Sequence, residues 1–237
     1  MIKASIDSIE TMGLVDGPGI RVVVFFTGCM LRCKYCHNPE MWTKGKENYT
    51  VDEMVNKIKR YKPYFKNNGG VTFSGGEPLL QSDFIIEVSK QLKKENINIA
   101  IDTSGVGNGH YEEILNNIDL ILLDIKHIDR KKYKNITGQN IDEVEKFIVV
   151  ANKLNKNIWI RQVIIPGIMD NYEYIDSLIK YLDKIKNIRR VDFLPFHRLG
   201  REKYLKLGIY YPYEEKKDMN VKKCNELYNY FLKKYKK

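Results

Sequence analysis

Three of the four cysteines stand close together in the segment TGCMLRCKYCHN. Three residues separate Cys29 from Cys33, and two separate Cys33 from Cys36. A structural zinc site or an electron-carrying iron–sulfur cluster needs four ligands, and His37 follows Cys36 too closely to be a comfortable fourth. Three thiolates on a four-iron cluster leave one iron open to a substrate or cofactor. The spacing therefore favours chemistry at a cluster over a zinc knuckle completed by a distant side chain.

Six apolar, β-branched runs each end in a polar or glycine-containing segment. They span Ile20 to Gly28, Gly70 to Pro78, Ile97 to Gly105, Leu120 to Lys126, Ile158 to Gly167, and Val191 to His197. Such runs are typical of buried parallel strands, which helices cover on both faces. Barrel enzymes place their chemistry at the carboxyl ends of the strands. We therefore expect the cysteine loop and the ends SGGEP, DTSG, DIK, PG and PFH to meet at one site.

Segments with a 3.6-residue apolar rhythm separate these runs and predict helices. One helix is predicted after Thr50, an N-cap with Glu53 three residues on in a capping-box pattern, and another opens at Ser82. Strand and helix alternate about six times, which is typical of repeated βα units around a parallel sheet. We expect an α/β fold, a partial (β/α)6 TIM-like barrel open on one side, formed by a single domain over residues 1–237.

Composition excludes several other classes of protein. The chain has 237 residues, 43% hydrophobic and 30% charged, as in a globular protein with a sizeable core. Its formal net charge is +10, but the lysines are dispersed, with mild concentrations in KKYKN and FLKKYKK, and no nucleic-acid-binding motif accompanies them. No apolar run is long enough to span a membrane, and the N-terminus lacks the order of a secretory signal. We expect a cytoplasmic monomer with reduced thiols, without nucleic-acid or membrane partners.

The motifs together resemble those of the radical S-adenosylmethionine (SAM) superfamily. CMLRCKYC fits its Cx3CxxC loop, with the aromatic Tyr35 before the third cysteine. DGPGIR, residues 16–21, resembles the signature of the glycyl-radical-enzyme activases, and SGGEP the glycine-rich motif that meets the SAM amino group. DTSG, LLDIK, RQVIIPG and LPFH follow in the expected order. The likeness covers nearly the whole chain.

The resemblance implies a reaction and its cofactors. Cys29, Cys33 and Cys36 would hold a [4Fe-4S] cluster whose open iron chelates SAM. One electron, from a flavodoxin- or ferredoxin-like donor, would cleave SAM to methionine and a 5′-deoxyadenosyl radical. That radical would take a hydrogen atom from a glycine of a partner enzyme. The protein positions the reactants while the cofactor supplies the difficult chemistry.

The length and the late LPFH segment favour pyruvate formate-lyase (formate C-acetyltransferase) as the glycyl radical enzyme that is activated. No cysteine lies between Cys36 and Gly70, so the ferredoxin-like insert of many activases is absent. Two alternatives within the superfamily remain, an activase of anaerobic ribonucleotide reductase and an enzyme acting on a small molecule. A basic nucleic-acid-binding module with a structural metal is the alternative from a different class.

The resemblance also assigns side chains to SAM. The expected contacts are Tyr35, Cys36, His37, Gly76, Asp102, Asp124, Ile125, Lys126 and His197. Asp124 and Lys126 share one strand face because they are two residues apart, and buried charges need a partner or a ligand. A mutual ion pair is the structural alternative for them. The oxygens of Asp102 and Thr103 are suited to a monovalent cation beside the SAM carboxylate.

The remaining candidates concern the partner protein. Asp16 and Arg21 of the activase signature are expected to meet the glycine loop, with Asp16 as a catalytic-site acceptor for the backbone of that loop. Arg161 is expected to face inward and to bind SAM or the partner. Cys224, in a Lys-rich helical segment, is interpreted as a bystander.

Overall fold

A computed structural model describes residues 2–236. In this part of the chain seven strands form the main sheet, in the order β2-β3-β5-β6-β7-β8-β9, and β1 pairs with β4 separately. The strands are β1 Lys3–Ala4, β2 Ile6–Gly13, β3 Arg21–Phe26, β4 Tyr49–Thr50, β5 Gly70–Gly75, β6 Asn98–Thr103, β7 Leu120–Asp124, β8 Asn157–Ile164 and β9 Ile188–Pro195. The helices are α1 Val51–Lys59, α2 Lys62–Phe65, α3 Ser82–Lys94, α4 Tyr111–Asn116, α5 Arg130–Thr137, α6 Asp142–Lys153, α7 Tyr172–Leu182, α8 Arg201–Lys206 and α9 Val221–Lys234.

The strands from β3 to β9 in this sheet are mutually parallel and coincide with the predicted apolar runs. β2 pairs antiparallel with β3, and the sheet order ends at β2 and β9 without a pairing between them. The predicted partial barrel, open on one side, is therefore confirmed. The sequence did not predict β2, because its alternation of buried and exposed residues contains too few apolar residues to stand out.

The helices begin largely where their sequence signals lie. Thr50 and Glu53 form the predicted capping box at the start of α1. α3 starts at Ser82 as predicted, but the Ser82 hydroxyl donates to the carbonyl of Leu79 at 2.8 Å and does not cap the helix. α5 was not predicted. It buries only three of its residues, so its apolar rhythm is weak.

No helix in the described part of the chain is both long and apolar enough to cross a membrane. The core instead lies between the sheet and the surrounding helices, and the parallel strands β3, β5 and β7 are buried along almost their whole length. Since both faces of these strands are covered, their carboxyl ends form one rigid rim on which a site can be built.

Candidate active site

A cavity of about 550 Å³ opens at the carboxyl ends of the parallel strands. It is lined by Asp16, Cys29, Cys33, Tyr35, Cys36, His37, Gly76, Asp102, Thr103, Asp124, Lys126, Arg161 and His197, among others. The segments at the ends of the predicted strands do converge on one site. Ile125 does not line this cavity. Its side chain is buried in the core, and its N–H donates to the carbonyl of Arg161 at 2.9 Å.

Backbone hydrogen bonds hold the start of the cysteine loop in place. Gly28 N–H donates to the carbonyl of Met41 at 2.8 Å, and Cys29 N–H donates to that of Trp42 at 3.1 Å. Gly28 has a φ of +92°, a conformation that glycine adopts without strain. The first thiol is therefore positioned by the fold itself.

The three thiols lie where metal ligation suits them better than nucleophilic catalysis. Cys33 is only 8% exposed, and Cys29 and Cys36 are partly buried. Burial raises the pKa of Cys29 to about 12, and it raises that of Cys33 to about 12 as well. Catalytic cysteines have lowered thiol pKa values, whereas a coordinated metal deprotonates a thiol outright. Within residues 2–236 no group of three or more His, Cys, Asp and Glu side chains is placed closely enough to hold a single metal ion.

The two glycines of SGGEP pack against the cysteine loop. Gly75 has a φ of +108°, and a Cβ atom there would lie 2.4 Å from the backbone nitrogen of Phe26. A Cβ atom on Gly76 would lie 2.4 Å from the carbonyl oxygen of Gly28. The sequence predicts that these adjacent glycines allow the backbone to approach a ligand closely. In the structure these glycines let strand β5 approach strand β3 and its loop, while Gly76 also lines the cavity.

Glu77 is a site residue that the sequence interpretation missed. It is 1% exposed, and its carboxylate accepts hydrogen bonds from Thr103 Oγ1 at 2.5 Å and from the Ser104 N–H at 2.9 Å and Oγ at 2.5 Å. Burial raises its pKa to about 7, against these hydrogen bonds. Glu77 thus joins the ends of β5 and β6 through Thr103 and Ser104, which line the cavity. A glutamate between paired glycines and a proline was the available signal, since glutamate is rarely buried without partners.

Arg161 faces inward, as predicted, and links two carboxylates. Its Nε donates to Asp124 Oδ1 at 3.0 Å, and its Nη2 forms a short contact with Asp102. Lys126 Nζ donates to the other oxygen of Asp124 at 2.9 Å, so the ion pair between Asp124 and Lys126 is present. Although burial opposes it, Arg161 and then Lys126 lower the pKa of Asp124 to about 2. Asp102 also accepts from Ser74, and a monovalent cation at Asp102 would compete with the Arg161 guanidinium.

Two histidines close the cavity on the β9 side. The rings of His37 and His197 stack with centroids 4.3 Å apart, and His37 Nε2 contacts the His197 carbonyl oxygen at 3.1 Å. His197 Nδ1 is buried without a hydrogen-bond partner in the described residues. An unpaired buried polar atom on a cavity wall is costly unless a ligand satisfies it. Together with the three thiols, this atom fits a cavity built for a cluster and a polar cofactor.

The two charged residues of the activase signature differ in burial, since Asp16 is half-buried and Arg21 is fully buried. Asp16 lines the cavity, and burial followed by the nearby Asp102 raises its pKa. Arg21 is 0% exposed and donates to Thr72 Oγ1 at 2.6 Å and to the carbonyl of Pro18 at 3.2 Å. The expectation that Arg21 meets a partner's glycine loop is therefore wrong. A buried guanidinium needs several acceptors, and the carbonyl of Pro18 is one of them. Arg21 therefore stabilises the DGPG turn from the protein interior.

The fold and the thiol-lined cavity define a radical SAM enzyme. The family model described as the radical SAM superfamily matches residues 23–182, and the chain belongs to this family. The chain is 47% identical over 232 residues to the pyruvate formate-lyase-activating enzyme of Clostridium pasteurianum, covering 97% of this chain and 98% of that one. It is 42% identical over 240 residues to that of Staphylococcus epidermidis, covering 97% and 96%.

Solved structures support the same fold. SuiB of Streptococcus suis, crystallised with its precursor peptide SuiA, superposes with a TM-score of 0.68 at 18% identity. The match covers 89% of this chain, which spans 44% of the length of SuiB. A domain of pyruvate-formate lyase-activating enzyme from Bacteroides vulgatus gives a TM-score of 0.54 at 22% identity, covering 69% of this chain and 94% of the domain. The family membership decides against the nucleic-acid-binding module with a structural metal.

Proposed function

We propose that this protein activates pyruvate formate-lyase by installing a glycyl radical on it. The observation that carries the proposal is the single cavity that is lined by Cys29, Cys33 and Cys36 and also by Asp16. The relatives named as pyruvate formate-lyase-activating enzymes, at 42% identity and above over 97% of the chain, support the choice of target. We propose further that residues 1–237 form one radical SAM core domain, which works as a cytoplasmic monomer with a flavodoxin- or ferredoxin-like donor.

The chain's own residues divide the work of binding. Cys29, Cys33 and Cys36 would hold the [4Fe-4S] cluster, which would supply the electron for the reductive cleavage of SAM. Asp124 and Lys126 keep opposite charges at the cavity wall beside the thiols and match the amino and carboxylate groups of a zwitterionic ligand. His197 Nδ1 offers a free polar atom to the adenosine portion.

The mouth of the cavity suits a polypeptide substrate. Leu14 and Val15, beside Asp16 on the turn that leads into β3, are 72% and 82% exposed. On the side of β9, Leu194 and Leu199 are also exposed. Exposed apolar side chains around a polar site are typical of protein-binding surfaces. An extended glycine loop would therefore find apolar contacts at the rim and a backbone acceptor at Asp16.

The test is radical transfer to the target protein. Under anaerobic conditions, the reconstituted enzyme with dithionite and SAM should give a glycyl radical on pyruvate formate-lyase, read by electron paramagnetic resonance. The matched control is the same target with its radical-bearing glycine replaced by alanine, which should give no signal. SAM cleavage without any radical on pyruvate formate-lyase, but with one on anaerobic ribonucleotide reductase, would transfer the assignment to the other activase class.

A further inference from the structure

Helix α5 brings the KKYKN segment against the outside of the cysteine loop. Arg32 N–H donates to the carbonyl of Thr137 at 2.7 Å, and Lys34 N–H donates to that of Ile136 at 2.9 Å. Both carbonyls belong to the last turn of α5. Carbonyl groups in this position accept no hydrogen bond from N–H groups of the same helix and are free to bind other donors. The helix and the loop that carries the thiols therefore form one connected unit.

This unit presents cations that have no carboxylate partner. Within residues 2–236 none of these cationic side chains forms a salt bridge with an Asp or Glu side chain. Arg130, at the start of α5, differs from them because it pairs with Asp142 and Glu145. Lys34 is half-buried and the others are exposed. We call them the α5 basic patch: Arg32, Lys34, Lys131, Lys132 and Lys134.

The α5 basic patch lies next to a cluster ligand. Arg32 and Lys34 flank Cys33 directly in the chain. Tyr133, the buried aromatic residue of α5, belongs to the same core cluster as Cys33. The rate of electron tunnelling falls steeply with distance. A redox protein seated on the patch would therefore have only the cysteine loop and one helix between its own centre and the thiols.

We infer that the α5 basic patch is the docking surface for an acidic one-electron carrier protein that supplies the reductant for SAM cleavage. The inference rests on the proposed function, which consumes one electron for each SAM cleaved. The carrier is oxidised by one electron, that electron breaks one carbon–sulfur bond of SAM, and no proton moves. Positive charge around the entry point attracts an acidic carrier and speeds its association.

The patch suits an acidic protein better than a nucleic acid. Single-stranded nucleic acids bind to surfaces that combine positive charge with exposed aromatic rings on which bases stack. The aromatic residue of α5, Tyr133, is buried, so the patch has no such platform on this helix. The apolar neighbour that it does expose is Met30, at the edge of the cysteine loop. A charged surface with one small apolar contact is suited to a transient protein–protein interaction.

The test compares two triple charge reversals. Lys131→Glu/Lys132→Glu/Lys134→Glu alters the patch, and Lys217→Glu/Lys222→Glu/Lys233→Glu alters exposed lysines elsewhere, so each takes the formal net charge from +10 to +4. Glutamate at the first two positions lies in the first turn of α5, where the helix dipole favours it. SAM cleavage by the holoenzyme is measured with reduced flavodoxin, an acidic carrier, and separately with dithionite.

We expect the patch variant to raise the KM for flavodoxin at low salt by at least about tenfold, the lower end of electrostatic rate effects. The control variant should leave it unchanged, and the difference should shrink as salt is added. Dithionite-driven cleavage should be equal in both variants, because a small reductant needs no docking surface. If the patch variant loses cluster or folding, Lys131→Gln/Lys132→Gln must show the same donor-specific effect.

Equal flavodoxin KM values in the two triple variants would overturn the inference. It would also be overturned if a DNA oligonucleotide bound the unaltered protein but not the patch variant while the flavodoxin KM stayed unchanged. Failure of the proposed function is a separate result. It would be seen as the absence of a glycyl radical with unaltered protein and dithionite, whereas failure of the patch leaves that signal intact.

Discussion

Arg161 donates through Nε to Asp124 at 3.0 Å while its other arm contacts Asp102. The guanidinium is the common partner of two largely buried carboxylates on neighbouring strands. Removing one member of a buried charge network leaves the others unpaired, which costs about 3–5 kcal/mol. We therefore expect Arg161→Met to lower the free energy of unfolding by about that amount, measured by urea titration. Adding Asp102→Asn should recover part of the loss, and a cost below about 1 kcal/mol would contradict the network.

The three thiols give a second prediction. Cys29→Ala, Cys33→Ala and Cys36→Ala should each lose cluster iron and sulfide after anaerobic reconstitution, because no fourth cysteine is near enough to substitute. Cys224 is the matched control. It is buried in α9, away from the cavity lining, and Cys224→Ala should retain full iron content. Loss of iron in that variant would show that the cluster has a ligand beyond the loop.

Cofactor affinity tests the charges at the end of β7. Lys126→Met keeps the length of the side chain but removes the charge that pairs with Asp124. We expect SAM affinity to fall by at least about tenfold, since a charge-assisted hydrogen bond contributes roughly 1.5–3 kcal/mol. Iron content should be retained. Calorimetry with Lys153→Met, which removes a cation paired with Glu112 outside the cavity lining, is the comparison. An affinity equal to that control would leave only the structural ion pair.

The pH dependence of stability should depend on His127. This histidine is 2% exposed, and burial lowers its pKa to about 4, below its ordinary value of 6.5. Because the folded state binds the proton less readily, stability is present above pH 6.5 and is lost as the pH falls towards 4. The contribution lost between pH 7.5 and pH 5 is about 2 kcal/mol. His127→Asn should lack this component when urea unfolding is compared at the two pH values, and parallel profiles would contradict the assignment.

Sequence patterns located the six parallel strands and the cavity residues at their ends because both depend on local signals. Long β-branched runs predict buried strands whatever the details of packing, and strand ends of parallel sheets share one edge. The buried state of Arg21 depends instead on Thr72 and Asn98, which are distant in sequence. The same holds for Glu77, whose partners lie at the end of β6. Apolar periodicity alone does not distinguish a charged residue of this kind from an exposed one.

The last prediction concerns how Asp16 is presented to a substrate. Thr72 is completely buried in β5, and its hydroxyl donates to the backbone carbonyl of Asp16 at 2.6 Å while accepting from Arg21 Nε at 2.6 Å. Thr72→Val removes both hydrogen bonds with little change of shape. We expect a raised KM for the glycine-loop peptide of pyruvate formate-lyase, with SAM affinity and dithionite-driven SAM cleavage nearly unchanged. The reason is that Asp16 would lose its anchor, whereas the thiols and the charged end of β7 would keep theirs. Thr72→Ser, which retains the hydroxyl, should restore the peptide KM, and Asp16→Asn should share the defect of the valine variant. A valine variant with a normal peptide KM would show that the turn holds Asp16 without this hydroxyl.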